Sequence, residues 1–483
     1  MKLKIFFAAG ILGAVMFMSS CSKTGDFGTL NQNPGTTVTP VTSGLLTNAL
    51  SGIAGYTWDQ GGLTTLSGLY AQYYSETQYT DASTYSKQRV NWDGYYAGSL
   101  YDLQVIINYN TDAATAALAA SNGSNANQIA VARILKAYIY STLTDLYGDL
   151  PYTGALKGDN GIVAFDKQQD IYTDLFKELT EAVAQFDNGL AAKGDILFNG
   201  DISRWKKFAN SIHALLALNL SKVDPAKGKT EFNAALAAGV IESGEDITLA
   251  FPGGNFFNPI YNYYTITARL DYAVSKTVTD FLSSNNDNRI SVFGETAVGF
   301  PSGLTRIDAV AFGNANTNWA KLLKGDKASP TDPFNIITAA EMDLARAEAA
   351  QLGWTSESAN DFYLKGIKDS WTSWGVYNAA DYNDYVAQSN IALSAGDAYK
   401  KIATQEWITH YPAGLRGWSI WRRTGYPALT PAPGAITKII PRRVSYGLNE
   451  YSTNPDNVGS VAKQYSVNGD DDSQLARMWW DKQ

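Results

Sequence analysis

Apolar residues recur at three- and four-residue spacing over most of the chain, the period of an amphipathic helix. Val131, Ile134, Leu135 and Tyr138 trace one stripe, which Gly148 and Pro151 bring to an end. Ile171, Leu175, Leu179, Ala182, Val183 and Phe186 trace a second, and Asp166 with Gln169 has the spacing of a capping box ahead of it. Trp205, Phe208, Ile212, Leu215 and Leu216 form a third behind Ser203 as N-cap. Asp224-Pro225 opens a fourth helix that closes near Gly239. Later, Thr338 and Glu341 cap a helix running to about Leu352. Phe362, Tyr363, Ile367 and Trp371 mark the next, and Tyr399, Ile402 and Trp407 another. Amphipathic helices paired through short loops predict a predominantly all-α fold, a tetratricopeptide-like helical-hairpin solenoid.

Two stretches break the pattern. Trp58 to about Tyr96 and Phe251 to about Lys327 are rich in Gly, Asn and rings, with Gly253-Gly254 and Phe300-Pro301 as breakers. Long irregular segments in a compact protein are usually functional or disordered, and this aromatic content argues for function. The expectation is an irregular, loop-rich, ligand-facing part near residues 58–100 and 251–327, packed against the solenoid.

The start of the chain points outward. Lys2 and Lys4 precede an uncharged, mostly apolar run from Ile5 to Met18, and Ser19-Ser20 leads to Cys21, the one cysteine of the 483 residues. Such a start is a secretory signal and takes no part in the fold. A lone cysteine at that position, unable to form an internal disulfide, is the expected site of lipid attachment. Acyl chains there would hold the protein on a membrane without crossing it. The division expected is a signal peptide at 1–20, a lipidated Cys21 with a flexible tether at 21–40, and a single domain at 41–483.

Composition narrows the partners. The formal charge is −8, with no Lys/Arg run, which is poorly suited to a phosphate backbone. Nucleic acid is not an expected partner. His213 and His410 are the only histidines; His213 falls inside a helix as a packed residue, and His410 ends one, where positive charge suits the dipole. No Cys/His set has zinc spacing, so no metal and no cofactor are expected. Gly228-Lys229-Thr230 is not a phosphate loop, because Val223 stands where the first glycine belongs. Asp470-Asp471-Asp472 lacks a calcium-loop pattern and reads as a solvated tract. No catalytic set stands out, and the chain is read as a binding protein, not an enzyme. A surface glycoside hydrolase, needing only two carboxylates at the right separation, and a structural partner of an outer-membrane complex are the alternatives.

Rings are the positive signal. The chain holds 29 Tyr, 19 Phe and 12 Trp, while only 17% of residues are charged. Trp and Tyr pair an apolar face with a polar edge, which suits sugar rings or peptide side chains. The candidates for ligand binding are Trp58, Tyr79, Trp92, Tyr95, Tyr96, Phe256, Tyr261, Tyr263 and Trp319.

Several stretches in order carry a resemblance. They include Thr29-Leu30-Asn31-Gln32-Asn33-Pro34, Ala132-Arg133-Ile134-Leu135-Lys136-Ala137-Tyr138 and Thr144-Asp145-Leu146-Tyr147-Gly148-Asp149-Leu150-Pro151-Tyr152. Gly200 to Ser211, Ala347-Glu348-Ala349-Ala350 and Ile402 to Trp407 continue the series. Trp421-Arg422-Arg423-Thr424-Gly425-Tyr426-Pro427, then Ile440-Pro441-Arg442-Arg443 and Asn449-Glu450, are the most specific. The chain thereby resembles the SusD/RagB family of nutrient-binding outer-membrane lipoproteins. The resemblance implies a surface-exposed, lipid-anchored protein of the cell outer membrane. It implies capture of oligosaccharide, or peptide, and its delivery to a TonB-dependent SusC-like β-barrel transporter over which the lipoprotein closes as a lid. The shared motifs are structural and carry over no ligand residue.

Overall fold

The computed structural model describes residues 39–158 and 162–482; Cys21, the signal and the tether up to residue 38 lie outside them. Helices dominate. The chain opens with α1 (Thr42–Gly52), α2 (Leu63–Tyr70) and α3 (Tyr101–Thr111). Four helical hairpins then carry the architecture. The first is α4 (Asn125–Tyr147) with α5 (Gln168–Gln185), and the second is α6 (Ile202–Asn219) with α7 (Pro225–Ala238). Two more helices, α8 (Lys276–Ser284) and α9 (Arg306–Ala315), lie between the second and third hairpins. The third hairpin is α10 (Ala339–Gln351) with α11 (Ala359–Ser373); α12 (Ala379–Ala387) follows. The fourth is α13 (Ala398–Thr409) with α14 (Gly414–Thr424), before α15 (Leu448–Thr453) and α16 (Pro455–Gln464).

The hairpins stack by neighbouring contacts. Helix α5 packs on α6, α6 on α10, α10 on α13, and α14 returns onto α2. This is the helical-hairpin solenoid that the periodicity predicts, built because each amphipathic pair can bury its stripe only against the next. Residues Thr42–Gln483 form one compact unit by contacts. Among the described residues no helix is long and apolar enough to cross a membrane.

Local chemistry explains the boundaries. Ser124 Oγ accepts from Asn127 N at 3.1 Å to start α4, and Gly148 ends it at φ 84°, where a side chain would meet the Tyr465 ring. Asp224 caps α7 as read from sequence, accepting from Lys227 N, and Thr338 accepts from Glu341 N to start α10. Two expectations fail. The Asp166/Gln169 capping box does not form: α5 starts at Gln168 without a side-chain cap, because Asp166 instead accepts from Tyr152 N and Thr153 N across the hairpin. The N-cap of α6 is Asp201, which accepts from Ser203 N and Arg204 N; Ser203 lies inside the helix and donates its hydroxyl to Asp201.

The segments read as irregular are only partly so. They hold α2, α8 and α9 and one short antiparallel sheet, and a second sheet flanks the later segment. Strand β1 (Tyr74–Glu76) pairs with β3 (Tyr272–Val274) in the register Tyr74↔Val274 and Glu76↔Tyr272. Strand β2 (Ile247–Leu249) pairs with β4 (Phe334–Ile337). Three-residue strands carry no readable alternation, so the pairing emerges only from tertiary contact.

The C-terminal stretch closes the molecule. Trp418, Trp421, Arg422 and Arg443 are buried, with Arg422 over the Trp418 ring at 3.8 Å and the Trp480 ring at 4.8 Å. Asp472 corrects the reading of a solvated acidic tract. It is fully buried, bonds Arg443 Nη1 at 2.6 Å and Arg89 Nη1 at 2.7 Å, and accepts from Tyr446 N. Two guanidinium groups, a backbone amide and the Tyr451 hydroxyl hold this one aspartate of the run inward. Asp470 stays outside and pairs with Lys87.

Candidate functional site

The β1/β3 sheet ties the two irregular segments together, and the residues after β1 emerge beside the turn before β3. Thr77 N donates to Asp271 O at 2.8 Å and Gln78 Nε2 to Asp271 Oδ1 at 2.5 Å. Tyr79 follows, 52% exposed, with the Arg306 guanidinium 5.3 Å from its ring centroid. Arg306 is placed by α9, whose N-cap Thr305 accepts from Asp308 N. Arg269, held by Asp271 at 2.6 Å, stands on the same side. Leu270 and Ile307 are exposed beside these two arginines. A ring with one free face, two cations and a few exposed aliphatics offers stacking and hydrogen-bond donors to a neutral or weakly polar ligand.

Beneath this face lies Glu76, buried, accepting from Ser83 N and Ser83 Oγ at 2.8 Å each. Burial pushes its carboxyl up to about 7, although the Ser83 bonds pull the other way. Tyr272, opposite Glu76 across the sheet, is half-buried and its phenol is raised by burial first and by Glu76 second.

The other ring candidates fall into two groups. Tyr95, Tyr96, Phe256 and Trp319 are half-buried and lean on core rings, while Tyr261 is half-buried against the equally half-buried Phe257. Tyr95 stacks on Tyr56 at 5.8 Å, Phe256 packs on Phe251 at 5.0 Å, and Tyr261 meets Phe257 at 6.1 Å. Trp319 meets Phe300 at 6.1 Å, and the Tyr96 hydroxyl is spent on Pro151 O. Trp58, Trp92 and Tyr263 are buried, which leaves them no face for a ligand. Trp58 meets Tyr263 edge-on at 5.2 Å. Trp92 packs among Tyr96, Tyr147, Phe165 and Tyr446 and donates its Nε1 to Glu450 at 2.8 Å. Tyr263 accepts from Asp271 N at 2.6 Å through its hydroxyl. The physical reason is area: rings bury so much surface that a chain this aromatic uses most of them as core. Arg269, Leu270, Arg306 and Ile307 were missed, because solvent-facing residues obey no period that sequence can display.

Neither histidine is part of this face. His213 is packed, with Nε2 2.8 Å from Glu231 and its ring 4.9 Å from Phe176. His410 corrects the dipole reading: burial lowers its pKa, so at neutral pH it carries no positive charge to offer the helix end. Among the described residues no group of three or more His, Cys, Asp or Glu is placed to hold a metal ion.

The fold is a tetratricopeptide-like helical-hairpin solenoid that bears a loop-borne ring-and-cation face. The chain matches the SusD-like family, described as starch-binding and associating with the outer membrane, over residues 33–447, and it belongs to that family. No curated protein matches it. Among solved structures it is similar to a chitin-binding protein, at 29% identity and a TM-score of 0.78 over 92% of this chain and 100% of that one. A SusD-like protein from Bacteroidetes shares 25% identity with a TM-score of 0.75 over 92% and 100%. A SusD homologue from Bacteroides uniformis shares the fold at 24% identity, with a TM-score of 0.74 over 91% and 99%.

Proposed function

We propose that this protein captures oligosaccharide at the surface of the outer membrane and delivers it to a TonB-dependent SusC-like transporter, acting by binding and not by catalysis. Lipid on Cys21 would hold it there. The observation that carries the reading is the exposed Tyr79 ring beside Arg306, on segments outside the hairpins, in a chain of the SusD-like family. A free ring face beside cationic donors suits the apolar face and the hydroxyl edge of a sugar together. The likeness to a chitin-binding protein makes chito-oligosaccharides the first cargo to test, with starch oligosaccharides and short peptides beside them.

Calorimetric titration against that panel checks the reading. Binding of one class is expected, and Tyr79→Ala lowers its affinity about tenfold, a loss of about 1.4 kcal/mol. Trp92→Ala separates site from scaffold: it lowers stability by about 3–5 kcal/mol by leaving a cavity among four rings. Affinity unchanged in Tyr79→Ala would remove the ring face from the reading.

A further inference from the structure

A second site of a different kind lies away from the Tyr79 face. A cavity of about 280 Å³ opens where the third and fourth hairpins meet the segment 321–333. Its floor is charged. Arg416 Nη1 donates to Glu341 Oε2 at 2.7 Å, and His410 Nδ1 stands 3.5 Å from Glu341 Oε1. His410 is only 5% exposed and lines the cavity, its Nδ1 turned to Glu341. The wall carries Trp374, half-buried and edge-on to Phe293 at 5.1 Å, beside Ser373, which accepts from Asn335 Nδ2 at 3.2 Å. The rim carries exposed Lys324 and Asp332. Lys324 is the middle of three left-handed residues, with Leu323 at φ 47° and Gly325 at φ 48°. Such strained backbone persists only where surroundings impose it, and it gathers at ligand clamps.

The lining says what would fill the space. Polar groups from several elements, Ser373, Asn335, Glu341 and Arg416 among them, line one space. A packing void would be lined by apolar groups, whereas charged and polar side chains line this cavity. Two cations, Lys324 and Arg416, face two carboxylates, Asp332 and Glu341, while burial keeps His410 neutral. A net-neutral lining gives no preference to phosphate or to a carboxylic acid. The deep pair, Glu341 with Arg416, already neutralises itself, which disfavours a zwitterion. Donors and acceptors converging beside an indole match a ring that carries hydroxyls. Small-ligand pockets run from about 300 Å³ upward, so this one holds a single ring.

We infer that this seam cavity is a ligand site for one neutral hydroxylated ring of monosaccharide size, bound against Trp374 and held by Lys324, Asp332 and the Glu341–His410–Arg416 floor. It rests on these residues alone and is independent of the Tyr79 face. Titration of the protein with glucose and with N-acetylglucosamine, followed by calorimetry, tests it. With the outer face removed by Tyr79→Ala in every sample, saturable binding of at least one is expected, weakened about tenfold or more when either Trp374→Ala or Lys324→Ala is added. Thermal melts show whether the Trp374 variant is folded; if it is not, exposed Lys324 decides. Absence of saturable binding to both sugars overturns the site. So does binding that survives Lys324→Ala, or tighter binding of alanine than of either sugar. Oligosaccharide binding that fails while monosaccharide binding persists would count against the outer face only.

Discussion

Burial sets the charge state of Glu76. Ser83 supplies two hydrogen bonds to the carboxylate, yet desolvation wins and its pKa rises from 4.5 to about 7. The folded chain therefore holds the proton more tightly than the unfolded one. Its contribution to stability is complete below about pH 4.5 and is lost as pH rises through about 7, a change of about 3 kcal/mol. Urea unfolding of wild type against Glu76→Gln over that window is the measurement: the variant's profile is flatter by about this amount. A variant with the same pH dependence as wild type would place the proton elsewhere. At this scale little was legible beforehand. Trp92 and Tyr79 look alike in sequence, both inside a ring-rich stretch, and only neighbours such as Tyr147 and Tyr446 make one of them core.

Elements were far more legible. The stripes of α4, α5, α6, α10 and α11 were readable because a helix repeats its buried face every 3.6 residues, and Ile171, Leu175 and Leu179 are buried as the spacing requires. Caps were less so, since several polar residues often stand near a helix start. Asp201 and Ser203 are such a pair, and geometry chooses Asp201. Asp201→Ala is expected to cost about 1 kcal/mol, and Ser203→Ala less than about 0.5 kcal/mol; chemical denaturation of the two variants ranks them. Equal costs would mean that the Ser203 hydroxyl, which donates to Asp201 at 2.6 Å, orients the cap as much as the carboxylate fills it. Helices α8 and α9 were hidden, being short, and Gly299, Pro301 and Gly303 stand just ahead of α9.

The whole molecule is held by pairings that cross the chain. Arg443 and Asp472 are both fully buried and bonded at 2.6 Å, and Asp472 also reaches Arg89 near the start of the chain. Removing Asp472 leaves buried Arg443 without its counter-ion, and removing Arg443 leaves Asp472 only the partly exposed Arg89 and an empty space where a fully buried guanidinium stood. Arg443→Ala or Asp472→Ala is therefore expected to cost about 3–5 kcal/mol in urea unfolding, while exposed Lys87→Ala, opposite Asp470, costs less than about 1 kcal/mol. Comparable losses in all three would mean that the acidic tract acts as one unit. Family membership was readable at this scale because motifs in a fixed order mark the hairpins and their closure. Sequence alone determined most of the hairpin helices, their pairing and the ring-rich character of the two intervening segments, because a periodic buried face and a breaker are local properties. The tertiary structure decided which rings face water, which aspartate of Asp470-Asp471-Asp472 is buried, and that Glu341, His410 and Arg416 share a cavity with Trp374. Those depend on contacts between residues far apart in the chain, and burial and charge state follow from the neighbours that folding supplies.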